Sequence, residues 1–404
     1  MKLKILGMTM ALAVSPLFAD SQTALDQLQA QINTLQTQVN QMTQSTAIDQ
    51  AVGLDTANPF GALSKVLMPL QLVKTREQGK SVVLGGQIEG DLQYWNGDNL
   101  ATSSGAQYGG GSSVAATKVY LFTEANLGQN AMGFLSLKNG SNSTVIVDRA
   151  FVMAGELNSN TPLFVTAGST YLPFGLFVGN GPLNMTLTTD AFRVSPTNQL
   201  TGNAVWGPVT FIASAYNNTS SVNNTINGLF TIQFSKLVNQ MHYNFGASYL
   251  NNVVGTNSDV GSAFVAGSSP SNPAWDANFN VGMKALSLIG EYVSTTDGAT
   301  IDHQTRGDLS SWVLGVNGGF ECLSAPYFWQ MSYSATHNMQ NIATPLDGNF
   351  QNGLKTSIGF QHQWIGSLQG EYWTNVYLGP ELTYGTLYNG QNTYSAILDM
   401  TAYF

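Results

Sequence analysis

The chain closes on Ala396-Ile397-Leu398-Asp399-Met400-Thr401-Ala402-Tyr403-Phe404, in which Ala396, Leu398, Met400, Ala402 and Phe404 share one face of an extended segment and are all apolar. Successive side chains of a strand point to opposite faces, so this strand has one greasy side that needs an apolar neighbour. The same two-residue period recurs upstream. Between Ser81 and Trp95, Val82, Leu84, Ile88, Leu92 and Tyr94 alternate with Gln87, Glu89, Asp91 and Gln93. No segment beyond the amino terminus is an apolar run long enough for a membrane helix. In hydrocarbon only helices and closed barrels satisfy every backbone polar group, which leaves lipid around a closed all-β barrel as the expected neighbour.

Composition narrows the class. Charged residues make up 9% of the 404 residues, against about 25% in soluble globular domains. Disorder is excluded because 43% of the chain is hydrophobic and the pattern is regular, whereas disordered chains are poor in apolar residues. At roughly 9 to 11 residues per crossing, the length after residue 80 suits about 16 antiparallel strands, with 14 to 18 as bounds. The net charge of -9 argues against a nucleic-acid partner, which requires a basic footprint. The single cysteine, Cys322, rules out an intramolecular disulfide framework.

Three regions precede the barrel. Lys2 and Lys4, the apolar run Ile5 to Phe18, and Ala19 before Asp20 form a secretory signal over residues 1–19. Within residues 20–45, Leu25, Leu28, Ile32, Leu35, Val39 and Met42 fall alternately three and four apart, giving three heptads. That spacing predicts a periplasmic coiled-coil helix holding a homo-oligomer, a trimer by preference, or else an amphipathic helix on its own barrel. Residues 46–80 form a linker, broken by Pro59, Gly61 and Pro69, with an apolar segment at Leu67, Leu70, Leu72 and Val73 that could sit against the barrel or enter its lumen. Lys65, Lys74, Arg76 and Lys80 make it basic.

The barrel is expected over residues 81–404. Strand candidates lie at 81–95, 116–128, 131–138, 144–156, 163–171, 204–216, 226–236, 241–251, 276–284, 286–294, 311–320, 325–335, 353–363, 367–375 and 393–404, with 183–193 as a doubtful sixteenth. Long Gly/Ser/Asn-rich stretches at 96–115, 252–275, 337–352 and 376–392 read as external loops, and short turns as periplasmic. Tyr94, Trp95, Trp206, Tyr249, Trp275, Tyr292, Trp312, Trp364 and Tyr372 are candidates for the aromatic girdles. The terminal Phe404 is read as the contact for the barrel-assembly machinery.

The polar face gives the pore candidates Glu89, Asp91, Lys118, Glu124, Lys284, Glu291, Lys355 and Glu371, a lining of mixed sign. From Ser81 onward there are eight Lys and Arg against eighteen Asp and Glu, a balance that favours cations. Arg149 and Arg193 are the only arginines between Arg76 and Arg306. Arg193 follows Gly179-Asn180-Gly181-Pro182 and Thr188-Thr189-Asp190-Ala191-Phe192, a stretch that could fold inward as a constriction loop. Guanidinium groups there could hold carboxylates of a solute bidentately, or else pair with Asp148 and Asp190. No enzyme is expected. The four histidines lack metal-ligand spacing and there is no Gly-x-Ser-x-Gly elbow, so no catalytic residue, metal or cofactor is assigned.

The whole layout resembles the LbtU-type siderophore porins, the legiobactin receptor-like proteins of gamma-proteobacteria. The most specific part is Asp148-Arg149-Ala150-Phe151-Val152-Met153-Ala154-Gly155 with Ala167-Gly168-Ser169-Thr170-Tyr171-Leu172-Pro173-Phe174-Gly175. The resemblance implies outer-membrane uptake of a ferric siderophore without a TonB plug. The expected function is therefore a porin-like channel for small solutes or a ferric siderophore. A surface barrel acting as an adhesin through its long loops is the alternative.

Overall fold

The structure, a computed structural model, describes residues 81–404 apart from 97–99, 103–106, 109, 129, 140–143, 157–160, 178–185, 195–196, 218–225, 240, 268–270, 284–285, 302–303, 323–324, 343, 346–353 and 357. The signal, coiled-coil and linker expectations lie outside the described residues. Sixteen antiparallel strands form one closed barrel. In chain order they are β1 (Ser81–Asn96), β2 (Gly111–Asn126), β3 (Ala131–Asn139), β4 (Val145–Gly155), β5 (Leu163–Thr170), β6 (Thr197–Trp206), β7 (Val209–Asn217) and β8 (Ile226–Val238). They continue as β9 (Met241–Leu250), β10 (Ala274–Met283), β11 (Leu286–Thr295), β12 (Ser310–Cys322), β13 (Ala325–His337), β14 (Phe360–Trp373), β15 (Val376–Leu387) and β16 (Asn392–Tyr403). Two loop helices, α1 (Leu187–Phe192) and α2 (Asp259–Gly267), and two small ribbons complete the described elements.

Each strand pairs with its sequence neighbour, and β1 closes on β16 with Gln87 opposite Tyr403 and Asn96 opposite Tyr394. The last residue finishes the seam: Gly86 N–H donates to Phe404 O at 2.9 Å and Phe404 N–H to Gly86 O at 3.2 Å. A Cβ at Gly86 would meet the Phe404 ring, so a larger residue there would shift the terminal aromatic that lies over the seam. Closure removes the sheet edges that hydrocarbon cannot tolerate.

The number sixteen agrees with expectation, but three of its assignments change. The candidate at 204–216 is two strands, β6 and β7, folded back at Gly207-Pro208. The end of the candidate at 353–363, from Phe360, and most of that at 367–375 belong to the single strand β14. The missing strand is β15, read as loop, whereas 183–193 contains α1 and, among its described residues, no strand. In β15, Tyr377, Glu381, Thr383 and Leu387 are buried while Pro380, Leu382 and Tyr384 are exposed. Pro380 forfeits a ladder donor, and with Gly379 and Gly385 it gives the strand the composition of a turn.

The outward faces carry exposed Val82, Leu84, Ile88, Leu92, Leu398 and Met400. Register aligns Tyr249 with Trp275, Tyr292 with Trp312, Tyr333 with Trp364, and Tyr384 with Tyr394, an aromatic belt near the long-loop end. Its rings meet in tilted pairs, with centroids 5.2 Å apart for Trp275 and Tyr292 and 4.6 Å for Tyr333 and Trp364. A second belt, Phe320, Tyr327 and Tyr372, lies toward the short-turn end. From Trp364 to Tyr372 is about 27 Å along the strand, which after tilting suits an outward apolar band of ≈ 25 Å. Trp95 leaves the girdle list: it falls on the inward phase of β1 and packs with Leu187.

Candidate functional site

Between β5 and β6, the described residues 171–177 and 186–194 fold into the lumen. Gly175, with φ of 77°, turns the chain along the inner wall. Thr231 Oγ1 donates to Pro173 O at 2.6 Å, Gly175 N–H to Ser248 Oγ at 3.4 Å, and Leu176 N–H to Glu291 Oε1 at 2.6 Å. These contacts take the loop past β8, β9 and β11. Thr186 then caps α1 by accepting from Thr189 N–H, as helix N-caps do. Leu187 N–H donates to Ser334 Oγ of β13 at 3.2 Å, and Thr188 Oγ1 lies 2.9 Å from Ser311 Oγ of β12.

What holds the loop is mainly apolar. Leu172, Phe174, Phe177, Phe192 and Val194 are buried in one cluster with Tyr216, Leu250, Ala274 and Val293 of the wall. Val253, Val260, Phe264, Leu309, Met339 and Ile342 of the neighbouring loops join it. Burying those five loop side chains contributes on the order of 10 kcal/mol as an upper bound. Sequence reading missed this core inside the barrel. Its signal was the apolar run Tyr171-Leu172-Pro173-Phe174, which continues past the end of a strand where a solvent loop would turn polar.

The stem of the loop meets a basic cluster. A bulge opposite the Ser136/Leu137 step leaves Asp148 as the extra residue of β4, so Asp148 and Arg149, adjacent in sequence, are both buried toward the lumen. Lys138 Nζ lies 2.6 Å from Asp148 Oδ1, and Arg149 Nε 3.2 Å from Asp148 Oδ2. Two cations thus share one carboxylate. The Arg149 guanidinium lies 5.3 Å, and that of Arg193 5.2 Å, from the centre of the Tyr171 ring, within cation–π range. The structure therefore brings Arg149 and Arg193, far apart in sequence, to one ring at the loop stem.

Along β1 and β16 the lining is acidic. Asp91 stands directly opposite Asp399, and carboxylate oxygens of Glu89, Asp91 and Asp399 all lie within 4.8 Å of one another. They are the one grouping among the described residues that could hold a metal. Gln87 Nε2 donates to Glu89 at 3.1 Å, Thr401 Oγ1 to Asp399 at 3.1 Å, and Gln369 Nε2 also donates to Asp399. Glu124 of β2 and Glu381 of β15 are buried on the same side. Glu381 was hidden from sequence reading by the turn-like Gly379-Pro380.

The remaining candidates divide. Lys118 occupies the register position opposite Glu89. Glu291 anchors the inward loop, and Glu371 Oε1 accepts the Asn375 N–H at 2.8 Å in the turn after β14. Lys355 is not part of the barrel wall: it lies in a ribbon strand, Leu354–Thr356, paired with Leu100–Thr102 at the long-loop end. The residues before Phe360 carry strand-like alternation, but a different sheet satisfies their backbone. Lys284 lies outside the described residues. His242 has Asn280 Oδ1 at 3.1 Å and Ser287 Oγ at 3.2 Å, but both meet the same Nε2. A hydrolytic relay needs its nucleophile and its orienting group on opposite ring nitrogens.

These features define a sixteen-stranded barrel with an inward loop between its fifth and sixth strands, the fold of outer-membrane porins. The chain is similar to the outer membrane channel DcaP of Acinetobacter baumannii, at 12% identity and a TM-score of 0.53, over 81% of this chain and 98% of that one. The anion-selective porin from Comamonas acidovorans is similar at 13% identity and a TM-score of 0.51, over 81% and 100%. Salmonella typhi OmpF, solved in complex with daunomycin, gives 13% and 0.53 over 81% and 98%. At these identities the likeness establishes the fold. No curated protein matches the sequence. A family model described as "Protein of unknown function (DUF3573)" matches residues 51–273, and the chain belongs to that family.

Proposed function

We propose that the protein is an outer-membrane channel through which small hydrophilic solutes diffuse, without an energy-coupled plug domain. The observation that supports this most is the inward loop: residues 171–177 and 186–194 are fastened to the inner wall from β8 to β13, which narrows the passage. Short turns would face the periplasm and long loops the exterior. The solute class follows from Lys138, Arg149 and Arg193 beside Tyr171, a rung suited to anionic groups on a solute with an apolar or aromatic body. A ferric siderophore is one such solute, and the siderophore-porin resemblance favours it. The three heptads of residues 20–45 would hold the barrels as a trimer on the periplasmic side.

Planar bilayers test the proposal. Refolded protein is expected to conduct, with a current reduced by ferric siderophore or by a smaller aromatic carboxylate. Arg149→Ala with Arg193→Ala is expected to remove that block and shift selectivity away from anions. Absence of conductance would sink the channel reading and direct attention to the external loops. Unchanged selectivity in the double variant would sink the solute class alone.

A further inference from the structure

The seam that closes the barrel gathers three carboxyl groups from its first and last strands. Asp91 of β1 stands directly opposite Asp399 of β16, and Glu89, on the same inward face as Asp91, has Thr401 opposite it. One oxygen from each carboxyl group lies within 4.8 Å of the other two. Oxygens on opposite sides of one calcium ion are roughly 4.6–5.2 Å apart, so oxygens this close can share a single ion. Neighbouring side chains orient the group. Thr401 Oγ1 lies 3.4 Å from Glu89 Oε2 and 3.1 Å from Asp399 Oδ1, Gln87 Nε2 donates to Glu89 Oε2 at 3.1 Å, and Gln369 Nε2 donates to Asp399 Oδ2. A carboxylate oxygen has lone pairs for more than one bond, so an oxygen that accepts a hydrogen bond can also coordinate. Hydrogen bonds of this kind are what position the carboxylate ligands of metal sites.

A second, independent observation points to an occupant. Gln87 is 3% exposed, and its Nε2 faces Glu89, which brings Oε1 of the same amide to the edge of the group. That Oε1 accepts no hydrogen bond among the described residues. Gln93, 2% exposed, follows Asp91 on the same inward face, and neither end of its amide has a partner among them. Buried amide oxygens without a donor are costly, and they are also good ligands for hard cations. Carboxylate and carbonyl oxygens with no His or Cys select such a cation over zinc or copper. The setting is dry, since Glu89, Asp91 and Asp399 are all at most 2% exposed. Magnesium keeps several waters, whereas calcium accepts a shell of roughly six to eight oxygens that protein groups can supply. We propose that Glu89, Asp91, Asp399 and the side-chain carbonyl of Gln87 form a calcium site that staples the first strand to the last, with Gln93 completing the shell from the next inward position of β1. The ion joins the Gly86 and Phe404 hydrogen bonds in holding the seam. The inference does not depend on the channel reading.

The test uses the full chain, folded in detergent and stripped with a chelator. Calorimetric titration with calcium is expected to show one buried site per chain, and the temperature of heat-modifiable electrophoretic mobility is expected to rise with calcium, less with magnesium, and to fall again with chelator. Asp399→Asn and Glu89→Gln are each expected to weaken binding at least about tenfold and to remove the calcium-dependent rise. Gln87→Leu leaves all three carboxyl groups and is expected to weaken binding about tenfold as well. It keeps the test valid if a carboxyl variant fails to fold, and heat modification itself verifies the barrel. Absence of calcium binding near neutral pH, as for carboxyl groups that share protons with one another, overturns the proposal. Binding that survives both Asp399→Asn and Gln87→Leu, as for ions on exposed acids, also overturns it, and so does an equal rise with magnesium. A barrel that binds calcium but does not conduct would refute the channel and leave the calcium site standing.

Discussion

The two halves of the lumen are buried by different chemistry. On the β8–β14 side the inward loop joins wall and neighbouring loops in an apolar core built around Phe174, Phe192 and Phe264. On the β1/β16 side, Glu89, Asp91 and Asp399 are equally buried but carry carboxyl groups. Apolar contacts need no particular partner, so the first half is fixed wherever enough greasy surface converges. Buried carboxyl groups require hydrogen-bond partners, protons or counter-charges at defined places, so the second half depends on what lies against it. The difference separates a side of the lumen held by apolar packing from one held by polar contacts.

The contrast can be broken most forcefully from the apolar side. Phe174→Ala with Phe192→Ala is expected to remove about 3–5 kcal/mol per site from the packing that holds the loop. Single-channel recordings should show a larger and noisier conductance; an unchanged current would mean that the loop does not bound the passage. Next in size, Asp148→Asn leaves Lys138 and Arg149 without their shared carboxylate. The reversal potential in a salt gradient should move toward anion preference, and a shift toward cations would contradict the basic rung. A smaller effect is expected from Glu291→Ala, which removes the acceptor of the Leu176 N–H and costs about 1–3 kcal/mol locally. Glu291→Gln retains an acceptor and should restore quiet current traces if the anchor is that hydrogen bond. The smallest change should follow Tyr333→Ala in the outer belt, about 0.5–1.5 kcal/mol of ring contact beyond lost area. It should lower the temperature of heat modification while leaving conductance as it was.

Legibility followed the same division. The lipid-facing alternation of β1 and β16 is local, so Val82 to Tyr94 and Ala396 to Phe404 could be read directly. Strands β6 and β7 merged because only Gly207-Pro208 separates them, and β15 was lost because Pro380 and two glycines imitate a turn. Within the candidate site, Arg149 and Arg193 stood out by their rarity and the inward fold of the loop carrying Arg193 was anticipated. Their meeting at Tyr171 was not, because it requires the loop to leave the wall and return. Lys355 was misplaced because alternation does not reveal which sheet a segment joins.

The sequence by itself determined a closed barrel in an apolar surround, its approximate strand number and its oily and polar faces, because period-two patterning is written residue by residue. Tertiary structure alone decided that Asp148 and Arg149 point the same way at a bulge, that Asp91 faces Asp399, and that an apolar core fills one side of the lumen. Those facts depend on register and loop path, which are set by contacts between residues tens to hundreds of positions apart and leave no periodic trace in the chain.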